Sequence, residues 1–263
     1  MFSTRRALTD IVAAFALTAI AGAASAEYPT KPITLVAPYG PGGASDLAAR
    51  TVSATIPGYL GNGVLVVNRT GAAGVVGSTY VAKGKKDGYT VLLSRVGSQA
   101  AVPAINRKIP YKWDDFTFLG LLEKNPFVLC VNAGSPYKNF DDLIGAIKAG
   151  KKLKYATAGV GTLLHVAVIM LLDDLRLPAN ALTHTPFKGG GKAAAAVAGN
   201  HADIIFQNLS GVISHIQGKK LRAVAISTSK RAPTVPDVPT VAELGHPKLE
   251  AVVGWSGIWG PKG

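Results

Sequence analysis

The stretch "APYGPGGASDLAAR", Ala37 to Arg50, follows the apolar run "ITLV" and leads into an alanine-rich segment, so the chain passes from strand through a glycine turn into a helix. The same order recurs in "VLVVNRTGAAGVVGSTYVAK" (Val64 to Lys83), "LKYATAGVGTLLHVAVIMLLDDL" (Leu153 to Leu175) and "THTPFKGGGKAAAAVAG" (Thr183 to Gly199). Strands that alternate with helices through tight turns imply βαβ units and largely parallel sheets, an α/β fold. In such sheets ligands bind beyond the carboxyl ends of the strands, where these turns lie.

The glycines of "GPGGASD", Gly40 to Asp46, let backbone approach a ligand, and the N–H groups of a first helical turn attract anions. No Gly-Lys-Ser/Thr follows, which argues against a Walker-type phosphate loop. Asp46 in the first turn suits the helix dipole and would repel a doubly charged phosphate, so a singly charged carboxylate fits better. Ser45 and Asp46 read equally well as helix caps alone. The turn "TAGVGTLLH" (Thr157 to His165) repeats the arrangement, with Thr162 near the cap and His165 in the first turn. Two helix N-termini, one from each half of the chain, would grip one ligand between them. His165 reads as a donor to a carboxylate or, equally, as a packed histidine at the helix start.

Residues 1–26 have the form of a secretory signal. Arg5 and Arg6 precede the uncharged "IVAAFALTAIAGAA", and "ASA" at Ala24 to Ala26 is a small-residue cleavage site before Glu27. The apolar run is shorter than the roughly 20 residues of a membrane span, so an exported, soluble protein is expected. The paired arginines leave Sec and twin-arginine export both open. Without this segment the chain loses Arg5, Arg6 and Asp10 from its 28 basic and 15 acidic residues, which leaves a net charge of +12. The bases are scattered and not interleaved with aromatics, so small anions are the expected partners and nucleic acid is not. Cys130, the single cysteine, excludes an intramolecular disulfide and in "FVLCVNA" reads as a buried strand thiol.

Composition shifts at "LLEKNPFVLCVNAGSPYKNFDDLIGAIKAG" (Leu121 to Gly150) and at the proline-rich "SKRAPTVPDVPTVAELGHPKLE" (Ser229 to Glu250) mark two crossings. The resulting layout is a signal peptide at 1–26, a first lobe from 27–125 and 246–263, and a second lobe from 126–245. The ending "GWSGIWGPKG", a strand and an open turn, reads as that of a fragment. Trp113, Trp255 and Trp259 are expected in the core or hinge, and Phe187 or Phe206 facing the cleft would favour an aromatic acid.

Five blocks in order carry a resemblance: "APYGPGGASDLAAR", "NRTGAAGVVGSTYVAKGKKDGYTVLL", "YATAGVGTLLH", "HTPFKGGGKAAAAVAGNHADIIFQNLS" and "GKKLRAVAISTSKRAPTVPDVPTVAELG". From about Tyr28 to its end the chain closely resembles the Bug-type solute-binding receptors of tripartite tricarboxylate transporters. The resemblance implies a periplasmic, two-lobed, type II-like binding protein, monomeric and without cofactor, that closes on a small organic anion and delivers it to a membrane permease. Carried over by position, the ligand would meet Tyr39, Gly42, Gly43, Ala44, Ser45 and Asp46 on one side. Ala158, Gly159, Gly161, Thr162 and His165 would stand opposite, with Asp203 and Asn208 beside the cleft. Where the family usually has small and hydroxyl residues this chain has Arg95, in "SRVGSQ". That arginine either forks onto a second ligand carboxylate, which favours a dicarboxylate, or is merely solvated. Relatives usually continue past "WGPKG" with helices of the first lobe, so the resemblance also implies truncation.

An enzyme is the competing class. The chain has no Gly-x-Ser-x-Gly elbow, no nucleotide fingerprint with its acidic partner, and no metal-ligand spacing among His165, His184, His201, His215 and His246. A receptor for a membrane sensor kinase would have the same binding site, and only its partner would differ.

Overall fold

The computed structural model describes residues 28–263, so the signal reading of residues 1–26 lies outside the described part. Three parallel strands open the fold: β1 (Ile33–Ala37) pairs with both β2 (Val64–Asn68) and β3 (Thr90–Arg95). Helices α1 (Ala44–Thr55) and α2 (Val75–Ala82) make the crossovers. A second parallel trio forms from β5 (Lys154–Thr157), β6 (Thr183–Pro186) and β7 (Ile204–Asn208). Within this second half lie helices α3 (Phe140–Lys148), α4 (Leu163–Asp174) and α5 (Gly190–Ala198).

One long strand joins the halves. β4 (Phe116–Asn132) pairs antiparallel with β9 (Val253–Pro261) as far as Pro126, and from Phe127 onward with β7 and with β8 (Leu221–Ile226). Proline cannot donate to a ladder, and Pro126 stands where β4 exchanges one set of partners for the other. Each sheet is therefore a parallel trio completed by antiparallel strands. Two strands fall outside the βαβ units: β4 runs from one sheet into the other, and β9 lies antiparallel between β3 and β4. The return crossing enters the first sheet at Val253, whereas Leu249 and Val252 pack in the core of the second.

The core is divided in the same way. Phe127, Leu129, Tyr155, Ile204, Ile205 and Phe206 belong to one large cluster in the second half, and two smaller clusters lie on the two faces of the first sheet. Cys130 is fully buried on β4, and burial pushes its thiol well above the ordinary range. The tryptophan expectation fails for Trp113, which is 65% exposed and stacks only on the exposed Phe118. Phe206 is buried against Phe127, away from the cleft, while Phe187 stands half-buried at the cleft mouth. Among the described residues no helix is long and apolar enough to cross a membrane.

Candidate functional site

The carboxyl ends of β1, β3, β5, β6 and β7 face one another between the halves, and the helices that follow β1, β5 and β6 start there. Helix α1 begins after Gly43, α4 after Thr162 and α5 after Gly189, and in none of them does a side chain cap the helix. Away from this region α3 is capped in the usual way, with Asn139 Oδ1 accepting from the N–H of Asp142 at 2.8 Å. The first N–H groups of a helix have no partner within it. Three such ends, each bearing the positive pole of its helix, therefore aim uncommitted donors into one cleft.

Gly43, Ala44, Ser45, Arg95, Ala158, Thr162, Gly190, Gln207 and Asn208 line its inner chamber, together with Tyr39, Val96, Gly97, Leu163 and Leu164. The chamber measures about 40 Å³ and the mouth beyond it about 320 Å³. Tyr39 and Ala158 border both spaces. The Tyr39 hydroxyl donates to Ala73 O at 2.9 Å, and burial raises its pKa far above the usual phenol range, so it acts as a neutral group. Ala73 belongs to a turn, Gly71 to Gly74, in which all four residues have positive φ. Backbone of this kind is strained for alanine and concentrates at functional sites. The turn faces Gly159 across the mouth, with Ala73 Cβ 3.7 Å from where a Cβ at that glycine would stand.

Ser45 corrects one expectation. The N-cap is Gly43, which places Ser45 inside the helix, and its buried hydroxyl has no hydrogen-bond partner. A buried hydroxyl without a partner is costly, and this one borders the chamber. Asp46 sits behind the turn. Its Oδ2 accepts from Gly42 N at 3.0 Å and Arg50 Nε at 2.9 Å, and its Oδ1 accepts from Asn68 Nδ2 at 3.0 Å. Burial pushes its pKa up, yet these hydrogen bonds together outweigh burial and hold it below the usual carboxylate value. Asp46 thus shapes the turn and does not border the chamber, and Gly42, exposed at φ +76°, belongs to the same turn.

His165 also stands behind its turn. Its Nδ1 accepts from Gly161 N at 3.3 Å, and its ring lies 4.5 Å from that of His184 over Tyr155. Burial lowers the pKa of both imidazoles, and for His184 the neighbouring His165 lowers it further. Gly161 packs against Val102 and Ile105 and not against the chamber. Asp203 lies at the wrong end of its strand: its carboxylate accepts from Lys154 N at 2.7 Å, where β5 and β7 begin. Five residues of strand separate it from Asn208, roughly 16 Å.

Arg95 is neither solvated nor free. It is 5% exposed, its Nη1 lies 2.7 Å from Glu123 Oε1, and its Nη2 donates to Asn208 Oδ1 at 3.1 Å. Burial lowers its pKa and the charge of Glu123 raises it again. Gln207 and Gly190 also border the chamber, and sequence reasoning did not select them. Their signal was present, since "FKGGGK" is one of the repeated strand-turn-helix blocks and Gln207 adjoins Asn208 at the end of β7. Among the described residues no group of three or more His, Cys, Asp or Glu could hold a metal ion.

Known proteins share this fold. Residues 48–263 match the family described as "Tripartite tricarboxylate transporter family receptor". Protein BugT of Bordetella pertussis is 36% identical over 97% of this chain and 79% of its own length. The solved structure of MatC (Rpa3494) from Rhodopseudomonas palustris with bound malate superposes with a TM-score of 0.84 at 30% identity, covering 90% of this chain and 80% of that one. R. palustris Rpa4515 with adipate gives 0.85 at 28% identity, over 90% and 79% of the two chains. With its two sheets, its crossing strands and its cleft of bare helix ends, the chain belongs to the tripartite tricarboxylate transporter receptor family, as a Bug-type periplasmic solute-binding receptor.

Proposed function

We propose that the protein captures a small organic carboxylate in the cleft, without chemical conversion, and delivers it to a tripartite tricarboxylate-type membrane permease. The observation that carries this reading is the convergence of three uncapped helix N-termini on a chamber where the Ser45 hydroxyl has no partner. A carboxylate suits such a place: its oxygens accept several N–H groups at once, and its charge matches the helix poles. The malate and adipate held by two relatives support the same ligand class. In this reading Ser45, Thr162 and the first N–H groups of α1, α4 and α5 hold the carboxylate, with Tyr39 and Ala158 beside it. Residues up to about 125 and from 253 onward act as one lobe and the intervening residues as the other, and a ligand that touches both favours closure. The receptor works as a monomer after cleavage behind Ala26.

The test is a thermal-shift screen of the chain from Glu27 with malate, adipate, citrate and benzoate, followed by calorimetry. A ligand at a thousandfold its Kd stabilises the fold by about 4 kcal/mol, so a clear upward shift with one of these acids is expected. A cooperatively melting protein that responds to no carboxylic acid would overturn the reading.

A further inference from the structure

Building on the carboxylate reading, we propose that Glu123 determines specificity: it is a built-in counter-ion for Arg95, so with one carboxylate at the helix ends the Arg95 side of the chamber receives an uncharged part of the ligand, and any second carboxylate points outward to the mouth. The obvious assignment for an arginine in such a cleft is a clamp on the far carboxylate. The geometry points elsewhere.

Arg95 closes β3 and borders the chamber, but its Nη1 faces Glu123 and its Nη2 faces Asn208. Glu123 is itself held from several strands. Its Oε1 also accepts from Ser256 Oγ on β9 at 3.0 Å, and its Oε2 accepts from Asn125 Nδ2 at 3.2 Å. Asn125 in turn bonds Ser210, and Asn208 Nδ2 reaches Asn125 O. The carboxylate is therefore fixed in place by neutral donors and is not a loose surface group that a ligand would brush aside.

A buried guanidinium requires a counter-charge, and Glu123 supplies one. The pair sums to zero at the inner end of the cleft. The positive potential that remains comes from the helix poles, each equivalent to roughly half a charge, at the turns. A ligand carboxylate is stabilised there, but a second one driven against Arg95 would meet Glu123 at close range and gain nothing from the cation it faces. The mouth has room for it, beside the exposed Lys188.

The experiment compares adipate with its monoamide, which has the same length and one charge fewer, by calorimetry on the wild type and two variants. Glu123→Gln turns the neutral inner end into a positive one, and the affinity ratio of dianion to monoanion is expected to rise by about tenfold or more. Arg95→Gln makes that end negative and shifts the ratio about as far the other way. This second variant leaves its unpaired charge on Glu123, whose side chain is 29% exposed, so it remains a usable test if the buried unpaired cation prevents Glu123→Gln from folding. Ratios equal to that of the wild type in the folded variants would overturn the role of Glu123 and leave the carboxylate reading standing. Binding of neither compound, nor of any acid in the screen, by the wild type would overturn the carboxylate reading itself and this inference with it.

Discussion

The turns at Gly40 to Gly43 and Ala158 to Thr162 present bare helix ends to the same cleft, yet they are held by different chemistry. Behind the first stands a charge: the Asp46 carboxylate gathers Gly42 N, Arg50 and Asn68, and Asn68 Nδ2 also donates to Tyr39 O at 3.0 Å. Behind the second are only neutral groups. Thr157 Oγ1 meets Gly159 N at 3.2 Å and His184 Nε2 at 2.6 Å, Thr162 Oγ1 donates to Gly159 O at 2.8 Å, and His165 Nδ1 takes Gly161 N. The comparison shows how a helix end can be kept free for a ligand. The turn is satisfied from behind, so nothing in the cleft is needed to hold it. The first turn has a further restraint, because its backbone lies directly against Lys188 to Gly191 of the other half.

That contact suggests the largest effect. A Cβ at Gly191 would stand 2.7 Å from both Gly42 C and Pro41 O, all backbone that cannot move aside cheaply. Gly191→Ala is expected to weaken ligand binding by about 10- to 100-fold, the 1–3 kcal/mol of an overpacked contact, while the protein still melts cooperatively. Calorimetry against the best acid from the screen measures it. Unchanged affinity would show that closure does not depend on the glycine contact.

The next effect separates the two turns by pH. Asp46 has a folded pKa below its ordinary value, so its contribution is complete above about pH 4 and is lost only as pH falls below that. His165 and His184 also have lowered folded pKa values. As bases they favour the neutral form in the fold, so their contribution is complete above about pH 6.5 and is lost as pH falls from there. Protonation also deprives Gly161 N of its acceptor. Amide exchange from pH 7.5 to 5 should therefore quicken at Gly161, relative to its intrinsic rate, and stay constant at Gly42. Parallel behaviour at both amides would remove the distinction.

Asp203 provides the smallest effect. Asp203→Asn keeps the side-chain shape at the far end of β7 and costs about 1 kcal/mol of stability through its bond to Lys154 N, with ligand affinity unchanged. A clear loss of affinity would put the cleft at the wrong end of the second sheet.

Much of this was legible along the chain. The strand, glycine turn and helix order depends on neighbours a few residues apart, so "APYGPGGASDLAAR" and "TAGVGTLLH" could be placed at a cleft, and Ser45, Ala158, Thr162 and Asn208 border it. Asp203 was misplaced for a physical reason: strand direction decides which end of "DIIFQN" faces the ligand, and the glycine turns lie at the carboxyl end. Trp113 was expected inside because its residue type favours burial, but it stacks on Phe118, in the exposed stretch of β4 from Thr117 to Leu122.

The sequence by itself determined the local grammar: an α/β chain whose strands lead through glycine-rich turns into helices. Only the tertiary structure decided what those groups meet. The partner of Arg95 stands 28 residues away in Glu123, and its second contact, Asn208, lies 113 residues on. The glycines at 40–43 find their counterparts at 188–191. Such pairings depend on which strands become neighbours when β4 crosses from one sheet to the other and the chain returns at β9, and a charge's effect on a ligand depends on whether another charge already neutralises it.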